Sequence, residues 1–108
     1  MTKVTLFYAD WCGHCNTFKP EWEKLKEILP KNNIEFAEYE DSKNADVINS
    51  NNIEGFPTIK IETNEGVFDY NGRRDADSIL DTVLPLKQTG GSSSNKYVNK
   101  KIYMIEYR

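Results

Sequence analysis

Apolar residues follow two rhythms along this chain, and the alternation between them sets the order of elements. Val4 to Tyr8 is a nearly unbroken apolar, β-prone run, the pattern of a central strand covered on both faces. From Cys15 the apolar positions Phe18, Trp22, Leu25, Ile28 and Leu29 form one helical stripe, which predicts an amphipathic helix beginning near Cys15 and ended by Pro30. Pro20 lies inside that stripe and removes one backbone donor, so a kink about one turn in is expected rather than a break. Ile34 to Tyr39 alternates Ile34, Phe36 and Ala37 with glutamates and predicts a second strand, parallel to the first because a helix joins them.

Ser42 to Asn52 is polar with Ala45, Val47 and Ile48 to one side and predicts a short helix. Gly55-Phe56-Pro57-Thr58 breaks it, and Thr58 to Thr63 has the alternation of a strand. Asn64-Glu65-Gly66 is a hairpin turn leading to an antiparallel return over Val67 to Tyr70. Asp75 or Asp77 caps a last helix with Ala76, Ile79, Leu80, Val83 and Leu84 on one face, stopped by Pro85. The order is β-α-β-α-β-β-α, an α/β class with a mixed central sheet and helices on both faces.

The 108 residues suit one domain, expected over residues 1–87. Residues 88–96 are a flexible linker by composition, and residues 97–108 form a β-prone tail that can dock at a sheet edge, pair with a second copy or stay disordered. With 38% hydrophobic and 29% charged residues the chain is globular, and no apolar run approaches membrane-spanning length. The net charge is −3 and lysines are scattered among glutamates, which excludes a basic face for nucleic acid. Met1-Thr2-Lys3 leads directly into a strand without the pattern of a signal peptide, so a cytoplasmic location is expected, with an oxidising compartment as the alternative.

Phe7-Tyr8-Ala9-Asp10-Trp11-Cys12-Gly13-His14-Cys15 holds both cysteines and the single histidine, so redox or metal chemistry has to be centred there. The stretch sits where a strand hands over to a helix. Helix N-termini point unpaired N–H groups and positive dipole outward, which stabilises a thiolate at Cys12. Residues three apart are neighbours on a helix, so Cys15 can close a disulfide with Cys12 or attack a mixed disulfide formed there. Cys12, Gly13, His14 and Cys15 are the candidate catalytic residues, with no cofactor besides the Cys12–Cys15 disulfide itself. Structural zinc needs four ligands, and two cysteines with His14 are too few, so no metal is expected in a monomer; a cluster shared between two chains would require dimerisation.

This order of elements, with Trp11-Cys12-Gly13-His14-Cys15 at the first strand-to-helix turn, resembles the thioredoxin superfamily, and most closely the catalytic domains of protein disulfide isomerases. Phe7-Tyr8-Ala9, Pro20, Gly55-Phe56-Pro57-Thr58 and Gly72-Arg73-Arg74-Asp75-Ala76-Asp77 carry the rest of the resemblance, which covers about residues 3 to 86. It implies a thioredoxin fold and a thiol–disulfide oxidoreductase that reduces, oxidises or isomerises protein disulfides. By the same resemblance Pro57 is a cis-proline facing the disulfide, with Trp11 and Phe56 beside it at the substrate surface, and Arg74 lowers the pKa of the second cysteine. Cys12 is then the attacking thiolate and the more exposed, Cys15 the resolving thiol buried behind it, and His14 stabilises the reduced pair.

Two positions depart from the family. The usual acid six residues before the first cysteine is Leu6, and the usual lysine nineteen residues before the cis-proline is Glu38. Glu38, facing Leu6 from the next strand, is the candidate replacement for the missing proton-shuttling carboxylate. The expected partners are protein thiols and disulfides, with a thioredoxin reductase or glutathione as electron partner, and the expected state is a monomer without nucleic acid or membrane. A glutaredoxin-like, glutathione-dependent reductase and a chaperone-like or structural binding module are the competing readings.

Overall fold

Strand β1, Lys3–Tyr8, is hydrogen-bonded along both edges in the computed structural model, which describes residues 2–84. The linker and tail expected over residues 88–96 and 97–108, and the domain end at 87, lie outside the described residues. From β1 the chain passes through α1 (Gly13–Ile28) and a 3-10 turn (Pro30–Asn32) into β2 (Glu35–Glu40), which pairs parallel with β1. Helix α2 (Ala45–Ser50) leads to β3 (Thr58–Thr63), antiparallel to β1, then β4 (Gly66–Asp69), antiparallel to β3, and α3 (Ala76–Val83). The sheet order is β2-β1-β3-β4, the mixed sheet that the hydrophobic rhythm predicts.

One face of the sheet carries the main core. Val4 and Leu6 of β1 and Ile59 and Ile61 of β3 meet Phe18, Trp22, Leu25 and Leu29 from α1 and Ala76, Ile79 and Val83 from α3. Leu25, Leu29, Ile79 and Val4 have no exposed surface, so truncating any of them to a small residue would leave a cavity costing about 2–5 kcal/mol. On the alternate positions Phe7 is buried and stacks on Tyr39, with ring centroids 5.7 Å apart, while α2 lies against β2 with Ile48 buried. Glu21 of α1 accepts from the Ala76 N–H at 2.9 Å, and Asp75 accepts from the Ser78 N–H at 2.8 Å, so α3 is capped both by its own N-cap residue and by its neighbour helix.

The elements differ from expectation in four places, each with a local cause. Helix α1 starts at Gly13, because Cys12 itself is the N-cap; its continuation through Pro20 without a break is as expected. The strand expected over Ile34 to Tyr39 is displaced to Glu35–Glu40: Ile34 is tied by its N–H to the Leu29 carbonyl at 3.0 Å instead. Phe36, the register partner of Val4, lies on the α1 side of the sheet edge-on to Trp22 but stays partly exposed at the β2 edge. Helix α2 is shorter than Ser42 to Asn52, since the Ser42 and Lys43 N–H groups donate to the Glu40 carboxylate, and Asn52 ends it with a left-handed φ of 55°. In the hairpin, Gly66 at φ 138° takes a conformation that side chains disfavour, and the return strand begins there rather than at Val67.

Candidate active site

Ala9 to Cys12 forms a tight turn closed by the Cys12 N–H on the Ala9 carbonyl at 3.1 Å. The turn delivers Cys12 in extended conformation to the mouth of α1, where its Sγ accepts from the Cys15 N–H at 3.3 Å. Side-chain oxygens usually fill that capping position; here a sulfur does. The first turn of α1 carries no acidic residue to oppose negative charge. A Cβ at Gly13 would meet nothing within 4 Å, so the position beside Cys12 is open.

The two thiols are both free and both buried, Cys12 being 7% and Cys15 6% exposed. Cys15 is the more deeply enclosed of the two, as expected, but Cys12 is itself covered and exceeds it in exposure only marginally. Its cover comes from the β3 side: Phe56 packs on the cluster of Ala9, Cys12 and Cys15, and the Cys12 thiol donates to the Phe56 carbonyl at 3.5 Å. The Phe56–Pro57 peptide is cis. Trp11, 72% exposed, meets Phe56 edge-on with centroids 5.8 Å apart, so an aromatic pair borders the thiols.

Acidity, rather than exposure, distinguishes the cysteines. Burial works against ionisation of Cys12, but hydrogen bonds from the Cys15 thiol and N–H and from the His14 N–H outweigh it and lower its pKa, with a smaller contribution from the Arg74 charge. Burial and the hydrogen bond to Cys12 push the Cys15 thiol up to about 12. His14 thus acts on Cys12 through its backbone, while its side chain is exposed. Arg74 is exposed and acts on both cysteines only through its charge.

Behind Cys15 lies a cavity of about 50 Å³, lined by Leu6, Tyr8, Cys15, Lys19, Glu38 and Pro57 among others. Leu6 and Glu38 are direct register partners across β1 and β2. The Glu38 carboxylate accepts from the Trp22 indole N–H at 2.7 Å and from the Lys26 ammonium at 3.1 Å. Partial burial opposes its ionisation, but these two donors and the Lys26 charge outweigh it and lower its pKa. Thus Glu38 does face the same cavity as Cys15, held by two partners on α1.

Sequence reasoning passed over Glu40, the only charged side chain buried among the described residues. One of its oxygens accepts from the Asp10 N–H at 3.0 Å; the other accepts from the Ser42 N–H and hydroxyl and the Lys43 N–H, at 2.9, 2.6 and 3.1 Å. The Ser42 hydroxyl, the Asp10 N–H and the further backbone donors lower its pKa to about 2. A signal existed in an acid closing a β-strand just before an Asp-Ser-Lys-Asn turn. Its partner Asp10, however, is thirty residues away.

A dithiol of split acidity, set where a strand of a mixed sheet passes into a helix and faced by a cis-proline, defines a thioredoxin-type centre. Residues 2–84 match the family model for thioredoxin, and the chain belongs to that family. It is similar to protein disulfide-isomerases of Saccharomyces cerevisiae, 39% identical over 85 residues, and of Medicago sativa, 38% identical over 97 residues. Those matches cover 76% and 84% of this chain but only 16% and 19% of the relatives' own length. The solution structure of the first thioredoxin domain of mouse protein disulfide-isomerase A4 superposes with a TM-score of 0.65 at 31% identity, covering 87% of this chain and 72% of that one.

Proposed function

We propose that this domain catalyses thiol–disulfide exchange on proteins. The observation that carries the reading is a pair of free thiols at one helix mouth beside a cis-proline, with Cys12 Sγ accepting from the Cys15 N–H at 3.3 Å. That arrangement lowers the Cys12 pKa while burial raises that of Cys15. The Cys12 thiolate attacks one sulfur of a substrate disulfide; a Cys12–substrate bond forms, and the other substrate sulfur leaves as a thiolate that takes a proton from water. Cys15 then loses its proton and attacks Cys12 Sγ, forming the Cys12–Cys15 disulfide and releasing the second substrate sulfur. Two electrons pass to the substrate. Run backwards the same steps oxidise a dithiol, and escape before the Cys15 step isomerises.

A thiol held at about 12 is almost wholly protonated, so its step needs a proton acceptor. Glu38 is the carboxylate on the shared cavity, which is large enough for water to bridge the two groups. Its lowered pKa suits it to pass a proton onward rather than to store one. Trp11 and Phe56 offer apolar surface to an extended substrate chain, and Pro57 places backbone beside the thiols. Kinship with protein disulfide-isomerases favours protein substrates over a glutathione-only cycle, and an oxidising compartment over the cytoplasm.

Insulin reduction with dithiothreitol tests the reading. The chain should accelerate precipitation of the insulin B chain, and Cys12→Ser should abolish the acceleration. An active Cys12→Ser variant, or activity with glutathione-linked small disulfides and none with insulin, would overturn it.

A further inference from the structure

Glu40 is a charge buried at 2% exposure with no lysine or arginine paired to it among the described residues. Buried carboxylates are costly unless every lone pair is occupied, and here four N–H and O–H donors occupy them. The donors divide between the two oxygens. One oxygen serves Ser42 and Lys43, on the turn after β2; the other serves Asp10 alone, the second residue of the Ala9–Cys12 turn. Glu40 thereby fastens the turn that carries Trp11 and Cys12 to the end of the neighbouring strand. Beside it, the Asp41 N–H donates to the Tyr8 carbonyl at 2.9 Å, so the clamp extends the β1–β2 ladder past the strand ends.

We infer that Glu40 is a positioning residue for the thiol–disulfide exchange proposed above: by holding the Asp10 N–H it fixes the turn from which Cys12 reaches the Cys15 N–H and Trp11 reaches Phe56. This deepens that reading and rests on it. The chemistry makes the inference testable by sign. A neutral amide has one oxygen, and the three donors at Ser42 and Lys43 would hold it, leaving an NH₂ group opposed to the Asp10 N–H. Glu40→Gln therefore frees the Asp10 turn selectively. A negative charge near Cys12 raises its pKa, so removing that charge alone would lower it. Loss of position does the reverse, since the Cys15 N–H would no longer be aimed at the sulfur. The other charged groups nearby, Asp10, Asp41 and Lys43, are exposed or half-exposed and stay unchanged in the variant.

The experiment is the pH profile of Cys12 alkylation by iodoacetamide in the reduced chain, with folding followed by circular dichroism. Glu40→Gln should raise the Cys12 midpoint by about half a pH unit or more, about threefold less thiolate at any pH well below both midpoints. Glu40→Asp, which keeps the charge and both acceptor oxygens one methylene shorter, should fall between that value and wild type. Ser42→Ala deletes a donor from the other oxygen and should lower thermal stability without moving the midpoint. A lowered or unchanged midpoint in Glu40→Gln, or an equal rise in Ser42→Ala, would overturn the inference and leave Glu40 as a turn cap. Should Glu40→Gln fail to fold, the contrast between Glu40→Asp and Ser42→Ala decides the same question. Insulin reduction by the wild type is scored separately: its failure removes the exchange reading, while the alkylation profile still decides whether Glu40 positions Cys12.

Discussion

The Cys12 thiolate rests on two different donors from one residue, and Cys15→Ala separates them. The variant keeps the Cys15 N–H, 3.3 Å from Cys12 Sγ, and deletes the thiol that also hydrogen-bonds it. Hydrogen bonds to charged groups contribute about 1.5–3 kcal/mol, and a thiol is a weak donor, so about 1 kcal/mol is a fair measure of the loss. At about 1.4 kcal/mol per pKa unit, the Cys12 midpoint should rise by roughly 0.7 unit, cutting its thiolate about fivefold at any pH well below both midpoints. The partner titration should vanish with it. In the wild type, Cys15 at about 12 against an ordinary 9.0 holds on the order of a thousandfold less thiolate than a free cysteine at any pH below both values. Thiolate absorbance at 240 nm should show two well-separated steps in the wild type and one in Cys15→Ala. The corresponding alkylation rates should show a single midpoint displaced upward. A Cys12 midpoint that stays put or falls in Cys15→Ala would mean that the Cys15 thiol does not hold the Cys12 anion, and the split acidity would need another origin.

Three further outcomes follow from the same geometry. Replacing Glu38 with Gln should slow Cys15 attack on a preformed Cys12 mixed disulfide, measured by release of a chromogenic thiol, and should flatten its pH dependence; an unaltered profile would remove Glu38 from the proton path. The Cys12–Cys15 potential, measured against a glutathione buffer, should lie nearer the value of about −180 mV typical of protein disulfide isomerase than the thioredoxin value of about −270 mV, and a result at or below the latter would refute the part assigned to His14. Glu40, whose pKa falls from 4.5 unfolded to about 2 folded, contributes stability that is complete above the unfolded value and lost as the pH drops through the folded one. The stability gap between wild type and Glu40→Gln in urea should therefore narrow between about pH 4.5 and 2, and a gap constant across that range would contradict it.

Much of this fold is legible because its signals are local. Alternation at Thr58 to Thr63 coincides with β3 residue for residue, and Asp75 caps α3 through an N–H three residues on. The facing of Leu6 and Glu38, which the family resemblance implies, is a β1–β2 register pair. What escapes is set by contacts across long stretches of chain. Cys12 is itself buried because Phe56, forty-four residues away, lies over it. Glu40 looks like one more surface glutamate until Asp10 is brought beside it, and the same carboxylate removes two N–H groups from the expected start of α2. Phe36 reads as a core residue by alternation but ends beside Trp22 at a sheet edge, since β2 has no neighbour on its far side among the described strands.

The Trp22–Glu38 hydrogen bond has an optical consequence. The chain contains two tryptophans, and the structure assigns them separate optical duties. Trp11 stands 72% exposed at the aromatic rim, open to collisional quenchers and to arriving substrate. Trp22, 2% exposed, has its indole N–H on the carboxylate that faces the Cys15 cavity. Quenching Trp11 with iodide leaves an emission that follows the electrostatic state behind the dithiol, so one unlabelled sample reports docking at the front and proton movement at the back.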